Sequence, residues 1–245
     1  MSTNQALVII PTYNEIENIS AIIDSIFKLP ENFDILIIDD NSPDGTADAV
    51  IKKQEEYPGR IHLEKRAGKL GLGTAYIVGF KWGLAKGYQY IIEMDADFSH
   101  NPEDLPRLLN ACREEKADMA IGSRYITGVN VVNWPMGRVL MSYFASIYVR
   151  KVTGMGIKDT TAGFVCYTRK VLEAINLDNI KFKGYAFQIE MKFKAFLKKF
   201  KIVEVPIIFI NRRLGTSKMN SGIFGEAMFG VIKLKWKSLF SKNWI

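Results

Sequence analysis

Short apolar runs that alternate with residues at helical spacing limit the possible folds of this chain more than any other feature. Ala6 to Pro11 reads Ala-Leu-Val-Ile-Ile-Pro, a continuous apolar run of strand length, and Ile19, Ile22, Ile23 and Ile26 follow at the three-and-four spacing of a helix face. Asp34 to Asp40 is a second strand ending in two acids, and Thr46 to Tyr57 reads as the next helix. Arg60 to Arg66 is a weaker strand, followed by a helix over Thr74 to Lys86 that stops at Gly87. Tyr88 to Met94 is a fourth strand, again followed by acids. A helix over Pro102 to Lys116, with Pro near its start, and a strand over Asp118 to Gly122 complete the pattern. Strands buried on both faces read as unbroken apolar runs, so the alternation predicts an α/β fold with a mostly parallel central sheet flanked by helices. The second half is less regular. Helices are expected over Val139 to Val152 and Ala186 to Phe200, and a strand over Val203 to Ile210.

The chain has 245 residues, 48% of them hydrophobic, which suits a single domain over 1–245 with a full core. No repeat, linker or low-complexity stretch divides it. A net charge of +7 predicts attraction to anionic partners, whether nucleotides, phospholipid surfaces or nucleic acid. Cys112 and Cys166 have no paired spacing, which argues against a disulfide framework or a zinc site and makes a reducing cytosol the default. The first residues lack the basic and apolar regions of a signal peptide, and no apolar stretch reaches the roughly eighteen residues of a membrane span. Membrane contact is therefore expected to be peripheral. The tail from Ile223 to Ile245 interleaves Phe229, Trp236, Phe240 and Trp244 with Lys233, Lys235, Lys237 and Lys242. That mixture suits a helix lying on an anionic bilayer, and equally a C-terminal helix docked on the core.

In open parallel sheets ligands bind beyond the carboxyl ends of the strands, where the acids of this chain fall. Asp95-Ala96-Asp97 could bind a hard divalent cation shared with substrate phosphates, or could be solvated acids of a turn. In Asp39-Asp40-Asn41-Ser42-Pro43-Asp44-Gly45-Thr46, the first two acids could accept hydrogen bonds from a base or ribose, while Asp44 or Thr46 could cap the next helix. Tyr13 could lie against a base and Glu15 could accept ribose hydroxyls, or Asn14 and Glu15 could simply start a helix. Lys69 to Ala75 is glycine-rich and precedes a helix, where exposed N–H groups can meet phosphate. It is not a Walker loop. Arg124, Arg138, Arg212, Arg213 and Lys218 are suited to phosphate oxygens if they converge on the same side, and are otherwise solvated basic loops.

Taken together and in order, Pro11 to Glu15, Asp39 to Thr46, Gly71 to Ala75, Asp95 to Pro102, Gly122 to Tyr125 and Arg212 to Lys218 resemble glycosyltransferase family 2. Within it they resemble the dolichyl-phosphate and polyprenyl-phosphate mannose synthases without transmembrane helices. The resemblance covers most of the chain. It implies a GT-A fold, a GDP-mannose donor, a dolichyl or polyprenyl phosphate acceptor and a divalent metal, Mg²⁺ or Mn²⁺. It implies nucleotide contacts from Pro11, Tyr13, Glu15, Asp40, Lys69 and Gly71, and metal contacts from Asp95 and Asp97. Ser99 stands where some relatives carry Gln as a further metal ligand. Arg124, Arg138, Arg212, Arg213, Ser217 and Lys218 would hold the phosphates, with Arg124 and Arg212 acting in catalysis beside the two acids. Gln188 and Glu190 look like sugar-side residues. The expected setting is the cytoplasmic face of a membrane, with a membrane protein as a possible partner.

The expected chemistry is a single in-line displacement that inverts the anomeric carbon. A lipid phosphate is already anionic at neutral pH, so positioning and charge stabilisation outweigh the need for a base. The alternative within the family is a UDP-sugar donor such as UDP-glucose. A non-catalytic nucleotide-binding module or a membrane scaffold are readings from other classes. Nucleic acid is disfavoured, because the basic residues form no single stripe and the acids at strand ends would repel a phosphate backbone.

Overall fold

The computed structural model describes residues 5–184, 186–211 and 223–240. A seven-stranded sheet forms its centre. The strands are β1 (Ala6–Thr12), β2 (Phe33–Asp39), β3 (Ile61–Lys65), β4 (Tyr90–Glu93), β5 (Met119–Ser123), β7 (Val165–Thr168) and β8 (Ile202–Pro206), in the order β3-β2-β1-β4-β7-β5-β8. A separate pair joins β6 (Val131–Val132) to β9 (Phe209–Ile210). β1 lies parallel to both β2 and β4, with Thr12 beside Asp39 and Ile9 beside Glu93. Connections leave β1 toward opposite edges, so a crevice opens beyond the carboxyl ends of β1 and β4.

The sheet is mostly parallel, as the alternation predicted, with one reversal. β7 runs antiparallel to both β4 and β5. Nothing in the sequence pattern marked this strand, since Val-Cys-Tyr-Thr is too short to carry a period. The expected strand over Val203 to Ile210 is two strands. β8 ends at Pro206, the chain makes one more bond from Ile207 N–H to the Ser123 carbonyl at 3.1 Å, and Phe209 then pairs with Val131. The expected helix from Pro102 begins as a 3₁₀ turn over Pro102–Asp104, capped by the Asn101 side chain, and continues as an α-helix over Leu105–Arg113.

Helices α1 (Ile19–Phe27), α2 (Thr46–Glu56) and α4 (Leu105–Arg113) lie on one side of the sheet. All four isoleucines that defined the first helix face are buried in the core on that side. The other side carries α3 (Leu72–Lys86), α5 (Met136–Thr153), α6 (Arg169–Ala174), α7 (Ala186–Leu197) and α8 (Ile223–Phe240). Close approach of α3 to the sheet depends on glycine. A Cβ at Gly79 would stand 2.7 Å from Ile9 Cδ1, and one at Gly83 would stand 2.7 Å from Ile91 Cδ1.

The described part of the tail, α8, docks on the core along one face and exposes the other. Val231 and Leu234 are buried against the core, and Lys235 reaches back to the Thr153 carbonyl at 3.2 Å. Opposite them, Phe229, Ile232, Trp236, Leu239 and Phe240 are exposed, Phe229 by 79%. α8 packs on α5, whose own Met136, Leu140, Met141, Tyr143 and Phe144 also face outward. Among the described residues no helix is long and apolar enough to cross a membrane.

Filling the helix–sheet contact tests this packing. Gly79→Val gains no helix propensity comparable to alanine and drives methyl groups into Ile9. Urea denaturation is expected to show a loss of about 1–3 kcal/mol, the range of overpacked cores.

Candidate active site

The carboxyl tips of β1 and β2 are sewn together. Thr12 donates its hydroxyl proton to Asp39 Oδ1 at 2.8 Å, and Asp39 also accepts from the Ser42 N–H and hydroxyl. In the two loops that follow, the N–H of Asn14 reaches Ser42 Oγ, that of Glu15 reaches Thr46 Oγ1, and that of Ile16 reaches Asp44 Oδ2. The Asp-Asn-Ser-Pro-Asp-Gly-Thr segment therefore serves first to hold the Pro-Thr-Tyr-Asn-Glu loop. The Asp44 carboxyl is held below its ordinary range: burial opposes this, and the hydrogen bonds from Thr46 and Ile16 outweigh it.

Of the expected nucleotide contacts, Pro11, Tyr13 and Glu15 are partly exposed on this stitched loop. Lys69 reaches it from the glycine-rich segment, with its ammonium 5.2 Å from the Tyr13 ring centre. Asp40 is 7% exposed, and its carboxylate is paired with Arg66 at 2.5 Å. Arg66 also donates to Thr74 Oγ1 at 2.7 Å, tying the β2 tip to the start of α3. Reading the sequence missed Arg66, and its place at the end of β3, level with the β2 acids, was the available signal. Gly71 has a φ of +104°, and a Cβ there would stand 3.1 Å from Lys183 Cβ. Only glycine fits that bend without strain.

At the tip of β4, Met94 N–H donates to the Ile9 carbonyl at 3.1 Å, which sets the following acids beside the end of β1. The Asp95 side chain is 38% exposed. Asp97 is more enclosed, and its Oδ1 accepts the Ser99 N–H at 3.0 Å. Ser99 itself is buried, so its evident part is to orient Asp97 through the backbone. His100, a second residue the sequence reading passed over, accepts the Asp95 N–H on Nδ1 at 3.1 Å. The ring stacks on Phe164 and meets Phe209 edge-on. Burial lowers its pKa to about 4, so the ring is neutral and Nδ1 is an acceptor. The 3.9 Å approach to Asp95 Oδ2 is accordingly not an ion pair.

Asp95 and Asp97 offer oxygen donors alone. Among the described residues no group of three His, Cys, Asp or Glu gathers as a metal cage. Two carboxylates suit a hard divalent ion that completes its shell with substrate diphosphate and water.

Beneath these acids lies a buried polar knot. Glu93 Oε2 accepts from Gln188 Nε2 at 2.8 Å, and Lys192 Nζ donates to the Ala162 carbonyl at 2.6 Å and to Gln188 Oε1 at 3.3 Å. Burial raises the Glu93 pKa to about 8, against the pull of Lys192 and Gln188. Burial lowers Lys192 to about 8, against the pull of Glu93 and Asp159. Gln188 and Glu190, the expected sugar-side residues, both lie in the interior next to this knot. Gln188 is 2% exposed within this knot, and Glu190 is fully buried, accepting the N–H groups of Lys181 and Phe182. Both support the site from behind.

On the basic side, Arg124 is also committed. Its guanidinium grips Asp159 through Nε at 2.7 Å and Nη2 at 2.6 Å, and the Arg124 N–H binds the same carboxylate. It is 8% exposed, with the Asp159 carboxylate holding the guanidinium in place. Arg138 stacks over Trp134 at 4.0 Å and donates to Asn211 Oδ1 at 3.1 Å. The Arg124 guanidinium lies 5.6 Å from the same indole, so the two arginines flank one ring. The expected Arg212, Arg213, Ser217 and Lys218 lie outside the described residues.

The architecture is that of the GT-A glycosyltransferases. Structures of glucosyl-3-phosphoglycerate synthase from Mycobacterium tuberculosis superpose with TM-scores of 0.70 for a complex with Mn²⁺, uridine diphosphate and phosphoglyceric acid and 0.67 for one with Mg²⁺ and uridine diphosphate. They share only 16% and 18% identity, over 97% and 96% of this chain and 79% of theirs in each case. The profile of glycosyl transferase family 2 matches residues 7–175, and the chain belongs to that family. It is 48% identical to the polyprenol monophosphomannose synthase of Mycolicibacterium smegmatis over 94% of its own length and 86% of that protein. It is 46% identical to the undecaprenyl-phosphate mannosyltransferase of Micrococcus luteus over 96% of its own length and 97% of that protein.

Two measurements test the supports. His100→Phe keeps a ring between Phe164 and Phe209 but leaves the Asp95 N–H without its acceptor, and turnover should fall by about tenfold or more, as expected for roughly 1–3 kcal/mol of misplaced backbone. Lys192 binds its proton less readily in the folded than in the unfolded chain, so the unfolded state holds more protons between pH about 8 and its ordinary 10.5. Stability should therefore rise with pH across that window by more in the wild type than in Lys192→Met, measured by urea denaturation.

Proposed function

We propose that this chain transfers mannose from GDP-mannose to a dolichyl or polyprenyl phosphate, with inversion at the anomeric carbon. The observation that carries the reading is near full-length identity of 48% and 46% to two proteins named for mannose transfer to polyprenol or undecaprenyl phosphate. The work falls to a single GT-A domain over 1–245. Pro11, Tyr13, Glu15, Lys69 and Gly71 receive the nucleotide, with Asp40 acting through Arg66. Asp95 and Asp97 hold Mg²⁺ or Mn²⁺, which supplies charge neutralisation to the departing diphosphate. Solved structures of the same fold contain either ion with a uridine nucleotide, which supports a divalent metal.

The acceptor phosphate approaches from the side of Arg138, where Arg212, Arg213, Ser217 and Lys218 follow Asn211 in sequence. Arg124, neutralised by Asp159, fixes the wall on which Arg138 stacks. Its own charge reaches the phosphate only at distance. A phosphate oxygen needs no base to become a nucleophile, so these groups act by orienting the acceptor and shielding its charge.

A lipid acceptor requires contact with a bilayer. The apolar residues exposed on α5 and α8, with the lysines between them, support peripheral attachment at the cytoplasmic face. A membrane-protein partner on the same face is the second way to hold the enzyme there.

Asp97→Ala tests the chemistry. Transfer of radiolabelled mannose into the organic phase should fall by at least about 100-fold, with an unchanged thermal melt, and chelation should abolish it in the wild type. Near-normal turnover in either case sinks the metal assignment. Label entering lipid from UDP-glucose and not from GDP-mannose would replace the donor.

A further inference from the structure

A cleft of about 280 Å³ opens between the C-terminal half of α5 and the loop after β5. Tyr143, Ile147 and Arg150 form one wall, and Tyr125, Gly128 and Lys158 form the other. Its lining holds two cations and no carboxylate. Nε of Arg150 is buried and has no hydrogen-bond partner. A guanidinium is charged at any accessible pH, and a buried N–H without an acceptor is costly. Among the described residues neither Arg150 nor Lys158 enters a salt bridge. Lys158 Nζ spends one of its three donors on the Ile126 carbonyl, at 3.1 Å.

The neighbouring acids are engaged elsewhere. Asp159 is taken by Arg124. Glu204 accepts from the N–H groups of Lys158 and Asp159 and from the Ser123 hydroxyl. The cleft is therefore left with uncompensated positive charge, and it asks for an anion.

This is not the acceptor site of the previous section. Arg150 lies twelve residues beyond Arg138 on the same helix, about 18 Å along its axis. The outward apolar residues of α5, Leu140, Met141, Tyr143 and Phe144, occupy the stretch between them. A ligand anchored at Arg150 would have apolar surface beside it in the direction of the active site.

We propose that Arg150 and Lys158 form a second anion site, which takes the phosphate of an anionic membrane phospholipid while its acyl chains lie against Tyr143 and Phe144. The shared chemistry is a phosphate group, and the apolar surface beside the cleft favours a lipid over the free ion. The inference rests on the peripheral membrane reading. A resident lipid here would fix the rotation of the enzyme on the bilayer and so aim the acceptor side at its substrate.

The test is flotation of the full chain with phosphatidylcholine vesicles, with and without phosphatidylglycerol. The wild type should bind the anionic vesicles more tightly. Arg150→Gln and Lys158→Gln should each remove about fivefold of that gain, as one basic residue at a charged surface contributes. Both should keep residual binding to neutral vesicles and normal transfer to a short acceptor in detergent. Lys158 is exposed, so its variant guards against misfolding of the other. If both variants keep the full gain, the site falls and the membrane reading stands. If the wild type floats with neither vesicle, both fall. Inorganic phosphate at matched ionic strength should compete for the cleft and reduce the gain, and a gain that it leaves untouched would place the anionic lipid elsewhere and overturn the site.

Discussion

Parallel hydrogen bonding of β1 to both β2 and β4 places three carboxyl strand ends on one edge of the sheet, and the rest of the site is built on that edge. The register sets Thr12 beside Asp39 and carries Asp95 up to the end of β1. Carboxylates crowded at such an edge repel one another, and the fold answers by giving most of them a fixed partner. Asp39 is absorbed by Thr12 and Ser42, Asp40 by Arg66, and Asp44 by Thr46 and Ile16. Asp95, the most exposed of the acids on β4's tip, is steered through its backbone by a neutral histidine. The arrangement concentrates negative charge where a cation and a diphosphate can share it.

The second organising feature is a row of buried ionic groups behind this edge. Glu93, Lys192, Asp159 and Arg124 have at most 8% exposure. Burying ions costs energy that pairing only partly returns, so such a row stabilises little by itself. What it provides is fixed position. β7, the one reversed strand, lies between β4 and β5, so Glu93 and Arg124 arise on opposite sides of it. Lys192, from α7, bonds the Ala162 carbonyl just before that strand. The knot thereby ties the acidic and basic halves of the site to one rigid piece.

Much of this was legible from residue order. The early strands and helices were placed to within a few residues because buried parallel strands and amphipathic helices leave strong periodic signals, as Ile19, Ile22, Ile23 and Ile26 show. The acids were located because strand ends are readable. The intramolecular partners of Asp40, Arg124, Gln188 and Glu190 were not. Each has the composition of a ligand contact, and each is held inside the protein, by a side chain 26 to 95 positions away or, for Glu190, by backbone 8 and 9 positions away. Arg66 and His100 were missed for the converse reason: a single Arg or His carries no pattern, and its value lies in what stands beside it.

Local sequence alone determined the strands and helices of the first half and which strand ends carry acids, because both depend on spacing within a dozen residues. Only tertiary structure decided the reversal of β7, the pairing of Arg124 with Asp159, and the division of α8 into a docked and an exposed face. Those outcomes depend on which distant groups compete for the same hydrogen bonds and the same apolar surface, and that competition is settled when the sheet and its two helical layers close.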